Sequence, residues 1–113
     1  MKVAVIGSRG LSVNDLSKYL PSDTTEIISG GAKGVDTSAR NYALANGIEL
    51  TEFLPEYDKF GRGAPLKRNI TIIENADLVL AFWDGKSHGT KFVIDNCKER
   101  NIPVKIFLAK TNS

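Results

Sequence analysis

A glycine-rich turn in the first third of the chain is the stretch best suited to binding an anion. Residues 27–36 read I-I-S-G-G-A-K-G-V-D, in which two β-branched residues lead into three glycines and an apolar helical pattern follows. A strand, glycine turn and helix in this order present free N–H groups and the positive end of the helix dipole, and Lys33 adds a charge. The spacing matches neither G-x-G-x-x-G nor a Walker loop. The turn therefore predicts phosphate binding, and a turn that needs glycine only for its geometry is the alternative.

Polar residues and glycines follow four of the predicted strands. Ser8 and Arg9 follow the first strand, the glycine-rich turn follows the second, Tyr57 follows the third, and a second glycine-bearing turn at 84–90 follows the fourth. The carboxyl ends of parallel strands share one edge of a sheet, where such folds bind ligands. The candidate ligand-binding residues at this edge are Gly7, Ser8, Arg9, Gly30, Gly31, Ala32, Lys33, Gly34, Asp36, Tyr57, Arg68, Asn69, Asp84, Ser87, His88, Gly89 and Thr90.

Several of these residues have two interpretations each. Ser8 and Arg9 could hold a phosphate through a hydroxyl and a guanidinium, or form a solvated loop. Asp36 could accept a hydrogen bond from a ribose hydroxyl, or occupy the first turn of a helix, where a carboxylate suits the dipole. Thr90 is expected both to cap its helix and to contact phosphate. His88 is either a proton carrier or an exposed loop residue.

The composition describes an ordinary globular chain. With 113 residues, 42% of them hydrophobic and 25% charged, it can bury a core as one domain. A net charge of +2 does not by itself indicate nucleic-acid binding. Cys97, the single cysteine, is interpreted as a reduced core thiol. Because no leader-like or membrane-spanning segment is recognised, we expect a cytoplasmic protein without a membrane partner.

Strands alternate with helices along the chain. The predicted strands are 3–6, 26–29, 48–54, 77–83 and 104–108, the predicted helices are 12–20, 35–46, 65–75 and 90–101, and residues 56–65 form the longest irregular stretch. The nearly continuous apolar strands predict an α/β fold, a three-layer, doubly wound, Rossmann-like parallel sheet of about five strands with helices on both faces. The domain is expected to span 1–109, followed by a polar tail at 110–113.

Three segments together resemble the SLOG superfamily. They are the N-terminal segment ending in G-S-R at 7–9, S-G-G-A-K-G-V-D at 29–36, and R-N-I-T-I-I-E-N-A-D-L-V-L-A-F-W-D-G-K-S-H-G-T at 68–90. The resemblance covers nearly the whole chain and is greatest to the small stand-alone proteins of the YspA- and YpsA-related type. It implies a Rossmann-like fold, a site for nucleotides or nucleotide-derived ligands, and a homo-oligomer as a candidate state.

The third segment is also similar to the LOG proteins, which are nucleoside-monophosphate phosphoribohydrolases. This similarity implies that Arg68 is half of a hydrolytic pair, but Val93 stands where the LOG proteins carry the partner glutamate. Asp36 and Asp84 are the remaining carboxylate candidates for catalysis. A nucleotide-processing hydrolase is therefore the first alternative function.

The segment 29–36 is similar to the central motif of DprA, a single-strand DNA-binding protein. Binding a single strand needs a basic track and stacking aromatic residues, and Lys33, Arg62, Lys67 and Arg68 form only a modest basic patch. DprA-like DNA binding is thus the second alternative. The leading hypothesis is a sensor or ligand-binding module for a nucleotide. No residues have metal-ligand spacing, so Mg²⁺ is expected only together with a bound nucleotide.

Overall fold

The computed structural model describes residues 1–109, and the predicted tail at 110–113 lies outside them. In chain order the elements are β1 (Lys2–Gly7), β2 (Glu26–Ser29), α1 (Val35–Asn46), β3 (Glu49–Glu52), α2 (Tyr57–Phe60), α3 (Ala64–Glu74), β4 (Leu78–Trp83), α4 (His88–Glu99) and β5 (Val104–Leu108), with 3-10 turns at Leu16–Lys18 and Gly61–Gly63. In the part of the chain described, no helix has the length and apolar character needed to cross a membrane.

The strands form one parallel sheet in the order β3-β2-β1-β4-β5. The central strands β1 and β4 are apolar along their length, and Val3, Val5, Val79 and Leu80 have no exposed surface. Burial on both faces requires such runs, because each successive side chain points to the opposite face. The strand order reverses between β1 and β4, which creates a crevice at their carboxyl ends.

Helices cover both faces of the sheet, as expected for a doubly wound fold. On one face α1 packs through Val35, Ala39 and Ala43. On the other face α3 and α4 pack through buried apolar residues that include Ile72 and Cys97. Burial raises the pKa of the Cys97 thiol to about 11, so it remains protonated in the core. The predicted three-layer α/β architecture is confirmed.

The predicted helix at 12–20 is wrong, since only the 3-10 turn Leu16–Lys18 forms there. The carboxylate of Asp15 accepts a hydrogen bond of 3.1 Å from the Ser17 N–H, and the Val13 N–H donates to the hydroxyl of Ser38 in α1 at 3.0 Å. Such bonds from side chains to backbone N–H groups compete with the ladder of a helix. The apolar spacing at this point reflects packing against α1 rather than a helical period.

The stretch at 56–65 is more regular than predicted. It contains the single-turn helix α2 and the second 3-10 turn, which lead directly into α3. The carbonyl of Glu56 accepts hydrogen bonds from the N–H groups of Lys59 and Phe60, which closes α2. β3 is shorter than predicted, and α4 begins at His88 rather than at residue 90.

Candidate functional site

A cleft of about 440 Å³ lies at the carboxyl ends of β1 and β4, where the strand order reverses. Its volume falls in the range of sites for small molecules. Many of the residues predicted from the sequence line it, namely Gly7, Ser8, Arg9, Ala32, Asp36, Arg68, Asn69, Asp84, Ser87, Gly89 and Thr90. The sheet thus brings together side chains from the first turns of α1 and α4, the start of α3, and the loop after β1.

Three predicted glycines act beneath or beside the cleft rather than in its wall. Gly34 is the N-cap of α1 with φ of +75°, and a Cβ there would lie 2.5 Å from the carbonyl oxygen of Arg9. Gly31 has φ of +68° and lies against Leu54, while Gly30 lies directly beneath the guanidinium of Arg68. Their role in the structure is to permit close approach of neighbouring groups.

Three further predicted residues do not line the cleft. Lys33 and His88 are exposed, and Tyr57 is exposed at the start of α2. Residues that the sequence analysis did not select also line it, and most of them are apolar: Ile6, Gly10, Pro65, Leu66, Ile72 and Val93. Ile6, Ile72 and Val93 are also core residues, and no signal in the sequence separates core from cleft wall.

Arg68 ties α3 to the ends of two strands. Its Nη1 donates hydrogen bonds to the carbonyl of Gly30 at 2.7 Å and of Phe53 at 3.3 Å, and its Nε donates to Oδ1 of Asn69 at 2.8 Å. Burial lowers the pKa of Arg68, the charge of Asp36 opposes this, and the nearby charge of Arg9 adds to the lowering. An arginine retains its charge under such conditions, so the cleft keeps a fixed cation.

Asp36 lies in the first turn of α1 and is only 7% exposed. Its Oδ2 accepts a hydrogen bond of 3.1 Å from the N–H of Ala32. Burial raises the pKa of this carboxyl, while the Ala32 N–H and the positive charge of Arg68 counteract part of the rise. No ion pair within residues 1–109 includes Asp36.

Asp84 organises the second glycine-bearing turn. Its Oδ1 accepts hydrogen bonds of 2.8 Å from the N–H groups of Lys86 and of Ser87, and these bonds hold the pKa of Asp84 below its usual range. The buried hydroxyl of Ser8 accepts a hydrogen bond of 3.2 Å from the Asp84 N–H, which joins the ends of β1 and β4. Ser8 is therefore a structural tie as well as part of the cleft wall.

The first turn of α4 faces the cleft through Gly89 and Thr90. The N-cap is Ser87, and the hydroxyl of Thr90 lies 3.3 Å from the Ser87 hydroxyl, so the predicted capping role of Thr90 is wrong. A residue three positions after the cap already has helical backbone and cannot itself be the cap. The first N–H groups of the helix remain without intrahelical partners.

The wall of the cleft formed by α4 is apolar at Val93, the position that the sequence resemblance matches to the LOG glutamate. Val93 is 2% exposed and packs in the core, and the Oδ2 of Asp95, further along the helix, pairs with Nζ of Lys91 at 2.8 Å on the exposed surface. No acidic residue of α4 therefore reaches the cleft in the described structure. No group of three or more His, Cys, Asp or Glu within residues 1–109 could hold a metal ion.

The chain is similar in sequence to known proteins over most of its length. The sequence model of a family described as DNA recombination-mediator protein A matches residues 1–101. The Gene 61 protein of Mycobacterium phage D29 is 32% identical over 84 residues, a match that covers 69% of this chain and 67% of the phage protein. No solved structure matches the chain. The matched region includes all the residues that line the cleft.

Proposed function

The chain belongs to the DNA recombination-mediator protein A family, and from that premise we propose that its cleft binds a nucleotide or a nucleotide-derived phosphate ligand. In this proposal the domain acts as a sensor or ligand-binding module. The membership agrees with the DprA-related, SLOG-type resemblance of the sequence. The proposal goes beyond the family itself and rests on the chemistry of the cleft.

The observation that carries the proposal is the meeting of two helix N-termini and two arginines at one cleft. The first turns of α1 and α4 both border it, and Arg9 and Arg68 supply positive charge. Free N–H groups, helix dipoles and guanidinium groups each favour a phosphate. The side chain of Arg9 is exposed and makes no hydrogen bond or ion pair within residues 1–109, so it is available for a ligand.

The remaining wall suits the other part of a nucleotide. Leu66, Ile72 and Val93 give the cleft an apolar surface on the side of α3 and α4. Small-molecule sites combine such apolar walls with a few convergent polar groups. A base or a comparable flat group can therefore lie against this wall while the phosphate lies at Arg9 and the start of α4.

A thermal-shift screen of nucleoside mono-, di- and triphosphates and cyclic nucleotides tests the proposal. A ligand at a hundred times its Kd adds about 2.7 kcal/mol to the free energy of unfolding, which is several degrees in Tm. Arg9→Ala should weaken binding by about tenfold or more, since it removes a charge-assisted hydrogen bond. Arg62→Ala, an exposed arginine outside the cleft, is the matched control. The absence of a shift with every compound would refute the proposal.

Single-stranded DNA binding is the second candidate, favoured by the description of the family. A surface around α2 carries Lys59, Phe60 and Lys67, and Nζ of Lys67 lies 5.6 Å from the centre of the Phe60 ring. Phe60 is 44% exposed and Tyr57 is 59% exposed. Exposed aromatic rings beside cations are the groups on which bases stack.

Fluorescence anisotropy with a labelled oligonucleotide at low salt tests this second candidate. Phe60→Ala and Lys67→Ala should weaken binding, and affinity should fall as salt rises. Lys98→Ala, on the exposed last turn of α4, is the control. If the oligonucleotide does not bind at low salt, this candidate is excluded. If Arg9→Ala loses nucleotide binding while Phe60→Ala and Lys67→Ala retain it, the cleft and the α2 surface are separate sites.

A further inference from the structure

Asp36 is the one buried carboxylate of the cleft, and in the part of the chain described only one of its oxygens makes a hydrogen bond of full geometry. Its Oδ2 accepts the N–H of Ala32, whereas Oδ1 makes no hydrogen bond within residues 1–109. The hydroxyl of Ser29 on β2 is fully buried and has no hydrogen bond of full geometry with any group described, but it lies close enough to Asp36 to counteract part of the rise that burial causes in the pKa of that carboxyl. A carboxylate has more acceptor capacity than these neighbours use, so Asp36, which lines the cleft, can accept a hydrogen bond from a ligand as well.

The other acidic residues at turn and helix starts behave differently. Asp15 and Asp84 also accept backbone N–H groups, but Asp15 is exposed and Asp84 is only half-buried. The pKa of each is lowered, whereas that of Asp36 is raised by burial. Asp84 also lines the cleft, but Asp36 is the carboxylate there that is buried and has a raised pKa.

The neighbouring cation does not supply this donor. The guanidinium of Arg68 lies beside Asp36 over Gly30, but its Nη1 is directed to the carbonyls of Gly30 and Phe53, and its Nε to Asn69. A Cβ on Gly30 would lie 2.6 Å from Nη1 and 3.1 Å from Oδ2 of Asp36. The glycine therefore keeps both charged groups at the floor of the cleft without joining them in an ion pair.

We infer that Oδ1 of Asp36 accepts a hydrogen bond from a sugar hydroxyl of the ligand, so that the cleft selects ribose over sugars that lack ring hydroxyls. The inference rests on the proposed nucleotide binding and names its ligand class more narrowly. A phosphate is repelled by a carboxylate and belongs at Arg9 and the start of α4. In a nucleotide the sugar lies next to the phosphate, and Asp36, in the first turn of α1, is next to that anion site.

The size of the effect follows from what is lost when the hydroxyl is missing. A hydrogen bond to a charged group contributes roughly 1.5–3 kcal/mol, which is roughly 10- to 150-fold in Kd. A site built to pair a hydroxyl also rejects an analogue without it, because its own buried acceptor is then left unpaired. We therefore expect a preference of at least about tenfold for the ribose form.

Calorimetric titration of the wild-type chain with a nucleoside monophosphate and its 2′-deoxy and 2′,3′-dideoxy counterparts tests the inference. The dideoxy compound should bind at least about tenfold more weakly than the ribose form. The 2′-deoxy compound then identifies which hydroxyl is paired. Equal affinity of the ribose and dideoxy forms would overturn the inference while leaving nucleotide binding intact. If no nucleoside monophosphate binds at all, both proposals fail.

Asp36→Asn then assigns the preference to this carboxylate. The amide oxygen can still accept the N–H of Ala32, so the turn is preserved, but the second acceptor is replaced by a donor. The ratio of dideoxy to ribose Kd should fall towards one in this variant. Asp95→Asn, an exposed aspartate paired with Lys91 outside the cleft, should retain the wild-type ratio. If Asp36→Asn keeps the wild-type ratio of dideoxy to ribose Kd, the assignment to Asp36 is refuted. If Asp36→Asn does not fold, the titration of the wild-type chain still tests the preference for ribose.

Discussion

The carbonyl oxygen of Gly30 accepts a hydrogen bond of 2.7 Å from Nη1 of Arg68, and the missing side chain of the same glycine makes room for that guanidinium. A Cβ at Gly30 would lie 2.6 Å from Nη1. The two residues are far apart in the sequence, yet together they attach α3 to the end of β2 beneath the cleft. Any catalytic or binding role of Arg68 must therefore be compatible with the hydrogen bonds that this side chain already donates to backbone carbonyls.

Arg68→Ala should lower the free energy of unfolding by about 1–3 kcal/mol, because the carbonyls of Gly30 and Phe53 lose a charged donor. Urea unfolding followed by circular dichroism measures this loss. The exposed Arg62, which makes no hydrogen bond within residues 1–109, provides the control Arg62→Ala. That control should change stability by less than about 0.5 kcal/mol. Equal losses in the two variants would show that the tie contributes nothing.

The sequence was sufficient to predict the sheet because most of its strands contain short apolar runs that end near glycine or polar residues. It was equally sufficient for α1, whose C-cap Gly47 adopts the left-handed conformation that the Asn-Gly pair predicts. The segment around Leu16 was mispredicted because buried apolar residues at helical spacing also occur in an irregular loop packed on a helix. There the decisive contact is the bond from Val13 to Ser38, which is not local in sequence.

The cleft was predictable where it depends on strand ends and not where it depends on packing. Ser8, Arg9 and Asp84 follow strands, so the parallel topology alone places them at one edge. Leu66 lines the cleft and Lys33 does not, and both outcomes depend on how far α3 and the glycine-rich turn extend over that edge. Distances of this kind arise from tertiary packing, and no local pattern in the sequence encodes them.

Gly34 should tolerate no side chain, whereas Gly47 should tolerate one at moderate cost. Both have positive φ, but a Cβ at Gly34 would lie 2.5 Å from the carbonyl oxygen of Arg9, while none of the described atoms lies within 4 Å of a Cβ at Gly47. Gly47→Ala should lose about 1–2 kcal/mol from backbone strain alone. Gly34→Ala should lose at least about 2 kcal/mol more, since the loop after β1 must move.

Thermal or urea unfolding of the two glycine variants measures this difference directly. Because the strain of the left-handed backbone is common to both, the excess loss in Gly34→Ala reports the contact with the Arg9 loop. Gly34→Ala should also weaken the binding of any ligand in the cleft. Similar stabilities for the two variants would mean that the loop after β1 is free to shift away from α1.

The stability of the protein should depend on pH through Asp36. Its pKa in the folded state is raised above the ordinary value of 3.8, so the folded chain keeps a proton where the unfolded chain has lost it. The stabilisation from this proton is fully present below about pH 3.8 and is lost as pH rises through the raised pKa. The free energy of unfolding of the wild type, minus that of Asp36→Asn, should therefore fall as pH rises.

Urea unfolding of both chains from about pH 3.5 to about pH 7 measures this difference. Asp15 and Asp84, whose pKa values are lowered, contribute in the opposite direction, and their effects cancel when the two chains are subtracted. A difference that is flat with pH, or that rises, would show that burial does not control the titration of Asp36.

The protein should bind a nucleoside monophosphate without releasing its base. The resemblance to the LOG proteins pairs Arg68 with a glutamate, but the corresponding position here is the buried Val93, and Asp95 is held at the surface by Lys91. Asp84 is engaged by the N–H groups of Lys86 and Ser87, which keep it a structural acceptor. Chromatography of a long incubation with each monophosphate should recover the nucleotide intact. Base release by the wild type that disappears in Asp36→Asn would contradict this and would make Asp36, with its raised pKa, the proton donor of a hydrolase.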